Sequence, residues 1–279
     1  MKFTKMHGAG NDYVYINGFT EKIAQEDKPD WVQRISDRHF GIGSDGAIFI
    51  NPSDVADFEM EMYNADGTRS EMCGNGIRCV GKFVYDKGLT DKKQISVVSA
   101  GKVKYLDLTV ENGKAVQIKV NMGEPILNAE QIPVVSDNEH VIDEVIYISE
   151  TDESYKMTCV SMGNPHAVVY MEDVDGLQIE KVGPYFENHC RFPNRTNTEF
   201  VKVLDRNNVQ MRVWERGTGE TLACGTGCCA TAVACILNGF TEDEVTVHVL
   251  GGKTKIFWDR ESNLVYMTGP AETVFEGEI

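Results

Sequence analysis

Long hydrophobic runs are missing from this chain, and so are a basic surface and a disulfide framework. Among its 279 residues the longest weakly polar stretch, 228–240, is 13 residues and contains Thr231 and Asn238. That is too short for a membrane-spanning helix, so no membrane partner is expected. Acidic side chains outnumber basic ones by 16, and a surface this negative repels phosphate backbones and anionic lipid. No nucleic-acid partner is expected either. The first residues, MKFTKMHGAGNDY, lack the apolar core of a secretory signal, which points to the cytoplasm. Eight cysteines are far fewer than a disulfide scaffold uses, and they lack the paired C-x2-C spacing of a zinc ribbon. Prolines number only 8, and no Pro/Gly/Ser-rich linker divides the chain.

What the chain does contain is an echo of itself. Shifted by 151 residues, the segment Cys73-Gly74-Asn75-Gly76 falls on Cys224-Gly225-Thr226-Gly227, Asn64 falls on Glu215, and FEMEMY (58–63) falls on VQMRVW (209–214). A shift of 153 puts Gly10-Asn11 on Gly163-Asn164 and 38–44 on 191–197. Several short matches in one order, at nearly one offset, indicate two similar halves.

The local patterns agree. Alternating or β-branched runs predict strands at 2–6, 13–17, 46–50, 57–63, 94–98, 102–110 and 114–121. The second half supplies 141–148, 156–161, 166–171, 197–203, 208–214, 244–249, 252–258 and 263–267. Helices are expected from Pro29 through Ile35 and over 177–188, where Pro184 should introduce a kink. Two more start at the repeated cysteines, 73–86 closed by Gly88 and 224–238 closed by Gly239. Each half is thus mostly strand with one central helix, an α+β class. The second central helix, CCATAVAC, is small and apolar all round and should be enclosed, with Cys228, Cys229 and Cys235 as packing residues; Cys79 is read the same way.

Cys73 and Cys224 stand apart because each lies where a Gly-rich turn becomes a helix. Unpaired N–H groups there create a positive field that binds carboxylate and favours thiolate. A helix end contributes up to about 2 kcal/mol, which moves a thiol from about 8.5 toward about 7. Two adjacent thiols cannot both ionise, so a thiolate and a thiol are expected. Such a pair suits a two-base proton transfer at carbon: one sulfur removes a Cα proton and the other delivers one to the opposite face. The backbone N–H groups of Gly74, Asn75, Gly225 and Thr226 would hold the substrate carboxylate as charge builds on it. Neither CG-x-G continues into a phosphate-binding or dinucleotide fingerprint, and no metal site is expected.

Five segments, KMHGAGNDYV, YNADGTRSEMCGNGIRC, GNPH (163–166), RTNTEFV (195–201) and ERGTGETLACGTG (215–227), closely resemble the diaminopimelate epimerase family. The resemblance runs through the whole chain. It implies two pseudo-symmetric lobes, each a β-barrel-like sheet wrapped around a central helix, with the active site in the cleft between them. The N-terminal lobe would be 1–122, completed by 270–279, and the C-terminal lobe 123–269. It implies a cofactor-independent epimerase that interconverts LL- and meso-2,6-diaminoheptanedioate for lysine and peptidoglycan synthesis, acting as a homodimer. By motif, Cys73 and Cys224 match the catalytic pair, and Asn11, Asn64, Asn164, Asn197, Glu215 and Arg216 match the side chains that hold the substrate. His166 and Glu215 match residues that tune the cysteines.

The residue chemistry agrees with that assignment. A diamino diacid needs donors and acceptors: asparagine offers both, Arg216 can clamp a distal carboxylate, and Glu215 can hold an ammonium. A proline racemase or hydroxyproline epimerase of the same structural class is the alternative, but a substrate with one carboxylate has no use for Arg216 and the extra asparagines. Two positions depart from the family. Gly46 stands where some members have a substrate-contacting glutamine, and Phe275 where a tyrosine supports the dimer.

Overall fold

Among the described residues strands hold far more of the chain than helices, and four helices lie against them. The computed structural model describes residues 1–70 and 73–279; Glu71 and Met72, within the second of the five segments, lie outside the described residues. The residues fall into two units, one of Met1–Asn121 with Thr268–Ile279 and the other of Met122–Met267.

The first unit contains β1 (Lys2–Gly8), β2 (Asn11–Asn17), α1 (Lys28–Ser36), β3 (Gly46–Asn51), β4 (Phe58–Asn64), α2 (Gly74–Asp86), β5 (Gln94–Ser99), β6 (Lys102–Glu111) and β7 (Lys114–Gly123). The second contains β8 (Glu144–Ile148), β9 (Glu153–Ser161), β10 (Pro165–Tyr170), α3 (Ile179–Glu187), β11 (Asn197–Asp205), β12 (Asn208–Glu215), β13 (Gly219–Thr221), α4 (Gly225–Leu237), β14 (Glu244–Val249), β15 (Gly252–Asp259) and β16 (Leu264–Gly269). β17 (Glu272–Glu278) returns to the first unit and pairs antiparallel with β1.

Within the first unit β1–β2 is antiparallel, β2–β3 parallel, β3–β4 antiparallel, β4–β5 parallel and β5–β6 antiparallel. The second unit repeats the order with β9–β10, β10–β11, β11–β12, β12–β14 and β14–β15. In both, the parallel steps cross over through a helix, as parallel neighbours require. α1 and α3 serve the first crossover; α2 and α4 serve the second. The self-similarity of the sequence is therefore a similarity of topology.

The elements match the predicted ones closely. Two strands were not expected: β13, three residues long, and β17, whose burial does not alternate. α3 continues through Pro184 as one helix rather than breaking there. α4 is enclosed as expected, with Gly227 to Ile236 all buried, Cys228, Cys229 and Cys235 among them. It packs on β9, β10, β11, β14 and β15. Cys79 and Cys159 are buried as well, while Cys190 is exposed.

Under α1, Val32 and Ile35 join Val14, Ile16, Phe49 and Tyr63 in one cluster. Beside it sits a buried ion pair, Lys28 Nζ to Glu61 Oε2 at 2.6 Å, with Gln25 and Tyr63 donating to Glu61 Oε1. Burial opposes ionisation of Glu61, but Lys28, Gln25 and Tyr63 outweigh it and lower its pKa to about 2. Among the described residues no helix is long and apolar enough to cross a membrane.

Candidate functional site

The repeated cysteines occupy the same backbone position. Cys73 is the N-cap of α2 at φ −125°, ψ 112°, and Cys224 the N-cap of α4 at φ −113°, ψ 114°. Each carbonyl accepts the first helical hydrogen bond, from Ile77 and Cys228 respectively, at 2.9 Å. Each sulfur accepts the N–H three residues on, Gly76 at 3.2 Å and Gly227 at 3.4 Å. The thiol thus takes the place of the usual Ser or Asp cap and sits in the field of the helix end. Gly74, Asn75 and Gly225 lie in the buried first turns, with Thr226 half-buried.

Around half-buried Cys73 the polar groups form a chain. Cys73 Sγ lies 3.0 Å from Asn11 Oδ1, and Asn11 Nδ2 donates to Asp45 Oδ2 at 2.7 Å. Asp45 also accepts the Asp12 N–H at 3.0 Å. Arg38 pairs with both carboxylates, 2.8 Å from Asp12 and 2.9 Å from Asp45, and Lys5 pairs with Asp12 at 2.5 Å. Burial pulls Asp12 upward, yet Arg38 and Lys5 hold its pKa below the ordinary carboxylate value. Asn11 opens β2 directly after Gly10, which turns the chain at φ +82°. Asn64 ends β4 and donates to Thr68 Oγ1 at 3.1 Å. Asn75 turns its side chain to Arg78, whose guanidinium donates to Oδ1 at 3.0 Å.

Gly46 pairs with Asn64, and a Cβ there would meet the Tyr63 carbonyl oxygen at 2.0 Å. No side chain fits at position 46 while this backbone holds, so the family's glutamine contact has no counterpart here.

The second helix start gathers more of the expected residues. Asn164 and His166 flank the start of β10, and His166 pairs in register with Asn197 on β11. The imidazole is fully buried between Glu199 Oε1, 2.7 Å from Nδ1, and Asn164 Oδ1, 3.0 Å from Nε2. Asn197 donates to the Pro165 carbonyl at 2.8 Å and accepts the Arg216 N–H at 2.9 Å, tying β11 to the end of β12. Arg216 is exposed, and its guanidinium donates to the Asn194 carbonyl at 2.9 Å, which leaves further N–H groups for an anion. Glu215 accepts from Thr221 on β13 and lies within hydrogen-bonding reach of Cys224. Cys224 is itself 3.5 Å from Thr226 Oγ1.

The electrostatics at Cys224 correct the expectation that a helix end lowers its pKa. Burial pushes this thiol up, and Glu215 and Glu199 push it further; Thr226 and the Gly227 N–H oppose them without prevailing. Cys224 rests as a thiol. Burial likewise raises the carboxyl of Glu215. Asp12, Arg38, Asp45, Glu199 and Thr221 were missed by motif reading. Glu199 had left a signal, a charged residue in the β-branched run TNTEFV, two residues from Asn197 and so on the same strand face.

Comparison with known proteins covers both units. The diaminopimelate epimerase family profile matches residues 3–128 and 158–274. The diaminopimelate epimerase of Methanococcus maripaludis strain S2 is 58% identical over 280 residues, spanning 100% of this chain and 99% of that one. That of Agathobacter rectalis is 60% identical over 287 residues, again 100% and 99%. Among solved structures, a phenazine biosynthesis protein of the PhzF family from Bacillus anthracis aligns with TM-score 0.73 at 16% identity, over 100% of this chain and 98% of the other. A probable proline racemase from Agrobacterium radiobacter aligns with TM-score 0.71 at 14% identity, over 100% and 92%. At those identities the two structures establish the α+β fold, and the proline racemase likeness carries nothing about substrate. End-to-end identity near 60%, on a chain whose α2 and α4 both start at a cysteine N-cap, decides the assignment: the chain belongs to the diaminopimelate epimerase family.

Proposed function

We propose that this protein interconverts LL- and meso-2,6-diaminoheptanedioate without a cofactor, Cys73 and Cys224 acting as base and acid on one Cα. The observation that carries the reading is the pair of cysteine N-caps, each holding a sulfur against the N–H of the third residue on. One sulfur takes the Cα proton and the other returns one to the opposite face, so the stereocentre inverts and each sulfur exchanges protonation state. Negative charge grows on the substrate carboxylate, where the N–H groups of Gly74, Asn75, Gly225 and Thr226 receive it. Cys224 supplies the proton of the resting enzyme, because burial and two carboxylates keep it a thiol.

Asn11, Asn64, Asn164 and Asn197 serve the two amino-acid ends, Arg216 the distal carboxylate and Glu215 an ammonium. An ammonium beside Glu215 offsets one of the charges that hold the proton on Cys224, which couples binding to the readiness of the thiol. His166 and Glu215 tune the cysteines. The two units act as the two lobes, 1–122 with 270–279 and 123–269, in a cytoplasmic homodimer that serves lysine and peptidoglycan precursor synthesis. The exposed Val274 and Phe275 of β17 support a partner on that strand.

The test is deuterium incorporation at Cα in heavy water, run on diaminopimelate and on proline. Wild type should exchange and epimerise diaminopimelate, and Cys73→Ala or Cys224→Ala should each lower epimerisation by about 10³-fold or more. Exchange into proline alone, or undiminished turnover in either variant, overturns the reading.

A further inference from the structure

The reaction as proposed leaves one carboxylate of the second unit without a task. Glu199 is fully buried on β11, and among the described residues its Oε2 has no hydrogen-bond partner. A carboxylate so enclosed is costly unless an ionic partner compensates it. The contact that compensates is His166 Nδ1, 2.7 Å from Oε1. Taken as ionised, the Glu199 carboxylate only accepts, and Nδ1 then carries a hydrogen. On the far side of the ring, Nε2 lies 3.0 Å from Asn164 Oδ1, a second acceptor. A neutral imidazole has one N–H and cannot donate to both; an imidazolium can.

The packing around the pair preserves this arrangement. Glu199 Oε1 approaches the first turn of α4 so closely that a Cβ on Gly227 would lie 2.6 Å from it. The titratable groups facing the His166–Glu199 pair are Cys159 on β9, Glu215 at the end of β12 and Cys224 at the start of α4. Asn164 is half-buried, and its Oδ1 end meets the ring.

We propose that Glu199 is a positioning residue: it holds His166 as an imidazolium whose Nε2–H clamps the Asn164 oxygen, so that the Asn164 NH2 faces outward as a donor for a substrate carboxylate. The amide has two ends of opposite polarity and no intrinsic preference between them. Fixing the oxygen inward turns residue 164 into a donor, and the fixing charge lies two contacts away, on β11. This rests on the reading of the Cys224 helix start as part of the active site.

The experiment is 15N NMR of histidine-labelled protein, with His166→Gln supplying the assignment, alongside kinetics on diaminopimelate. In wild type both ring nitrogens of His166 should be protonated at pH 7, and in Glu199→Gln one of them should be found unprotonated at the same pH. KM for diaminopimelate should rise about tenfold in Glu199→Gln, with kcat changed less. In a His166→Gln background the same substitution should add nothing, because its effect passes through the ring. An unprotonated Nδ1 or Nε2 at pH 7 in wild type overturns the proposal, and so does an undiminished effect in the double variant. Should Glu199→Gln fail to fold, the wild-type spectrum alone decides. That spectrum needs no turnover, so failure of this relay and failure of the epimerase reading give different results.

Discussion

The α2 and α4 starts place a cysteine sulfur at the same cap position, within a few degrees in ψ and two tenths of an ångström in the N–H contact. Their surroundings differ in one respect above others, the treatment of carboxylates. Near Cys73, Asp12 and Asp45 are each paired with Arg38, and Asp12 also with Lys5. Elsewhere in that unit Glu61 is paired with Lys28. Near Cys224, Glu199 is buried and Glu215 half-buried, with His166 as their nearby ionisable base, and they raise the thiol. The same backbone can therefore hold a cysteine in either setting. The helix end contributes a modest field, and at Cys224 burial, reinforced by two carboxylates, outweighs it.

The largest expected effect tests the paired side of this contrast. Glu61→Gln leaves the Lys28 ammonium buried without its counter-charge and should cost about 3–5 kcal/mol at pH 7, read by urea unfolding. The pH dependence has a definite sign. Glu61 titrates near 2 in the folded protein against an ordinary 4.5, so its contribution is full above about 4.5 and is lost as the pH falls toward 2. The gap between wild type and variant should narrow on acidification. A gap unchanged between pH 7 and pH 3 would mean that the pairing is not the source.

Equivalent glycines offer a direct comparison. A Cβ on Gly76 would meet the flexible ends of Ile48 and Met60 at 2.8 and 3.2 Å, whereas one on Gly227 would meet Glu199 Oε1 at 2.6 Å. Gly76→Ala should cost about 1–3 kcal/mol of repacking. Gly227→Ala should cost more by about 2 kcal/mol, because it separates a buried carboxylate from its imidazole. Equal losses in thermal unfolding would remove this distinction between the units.

Removing charge beside Cys224 should ease ionisation of its thiol. Glu215→Gln should accelerate alkylation of Cys224 at pH 8 about tenfold, with peptide mass spectrometry as the readout. The raised carboxyl of Glu215 also opposes folding at high pH: its contribution is most favourable when protonated and declines as pH rises through its folded pKa. Glu215→Gln should therefore stabilise at pH 7 and lose that advantage on acidification, opposite in sign to Glu61→Gln at neutral pH. The smallest effect belongs to Thr226→Val. Its lost hydroxyl favours the thiolate in wild type, so alkylation of Cys224 should slow about two- to threefold.

Most of the architecture was legible because periodicity is written along the chain. β10 and β11 read as strands from their β-branched residues, and Cys73 and Cys224 could be placed at helix starts from the glycines that follow them. β13 and β17 were not legible. The first is too short to show a period, and the second is exposed along nearly its whole length. At the candidate site, motif matching found the asparagines but not the electrostatics. That Cys224 lies among carboxylates depends on Glu199, 25 residues earlier in sequence and on another strand, which no local pattern reveals. Burial is a tertiary property, and it reversed the sign of the thiol shift.

The pairing of β17 with β1 bears on synthesis. The strand that covers β1 is translated only after Met122–Met267, which is contiguous in sequence. On the ribosome, the sheet of the first unit waits with an open edge while the whole second unit emerges and folds. Chaperone protection during that interval should fall on the N-terminal strands, and a ribosome-stalled chain ending before position 270 should expose them to protease.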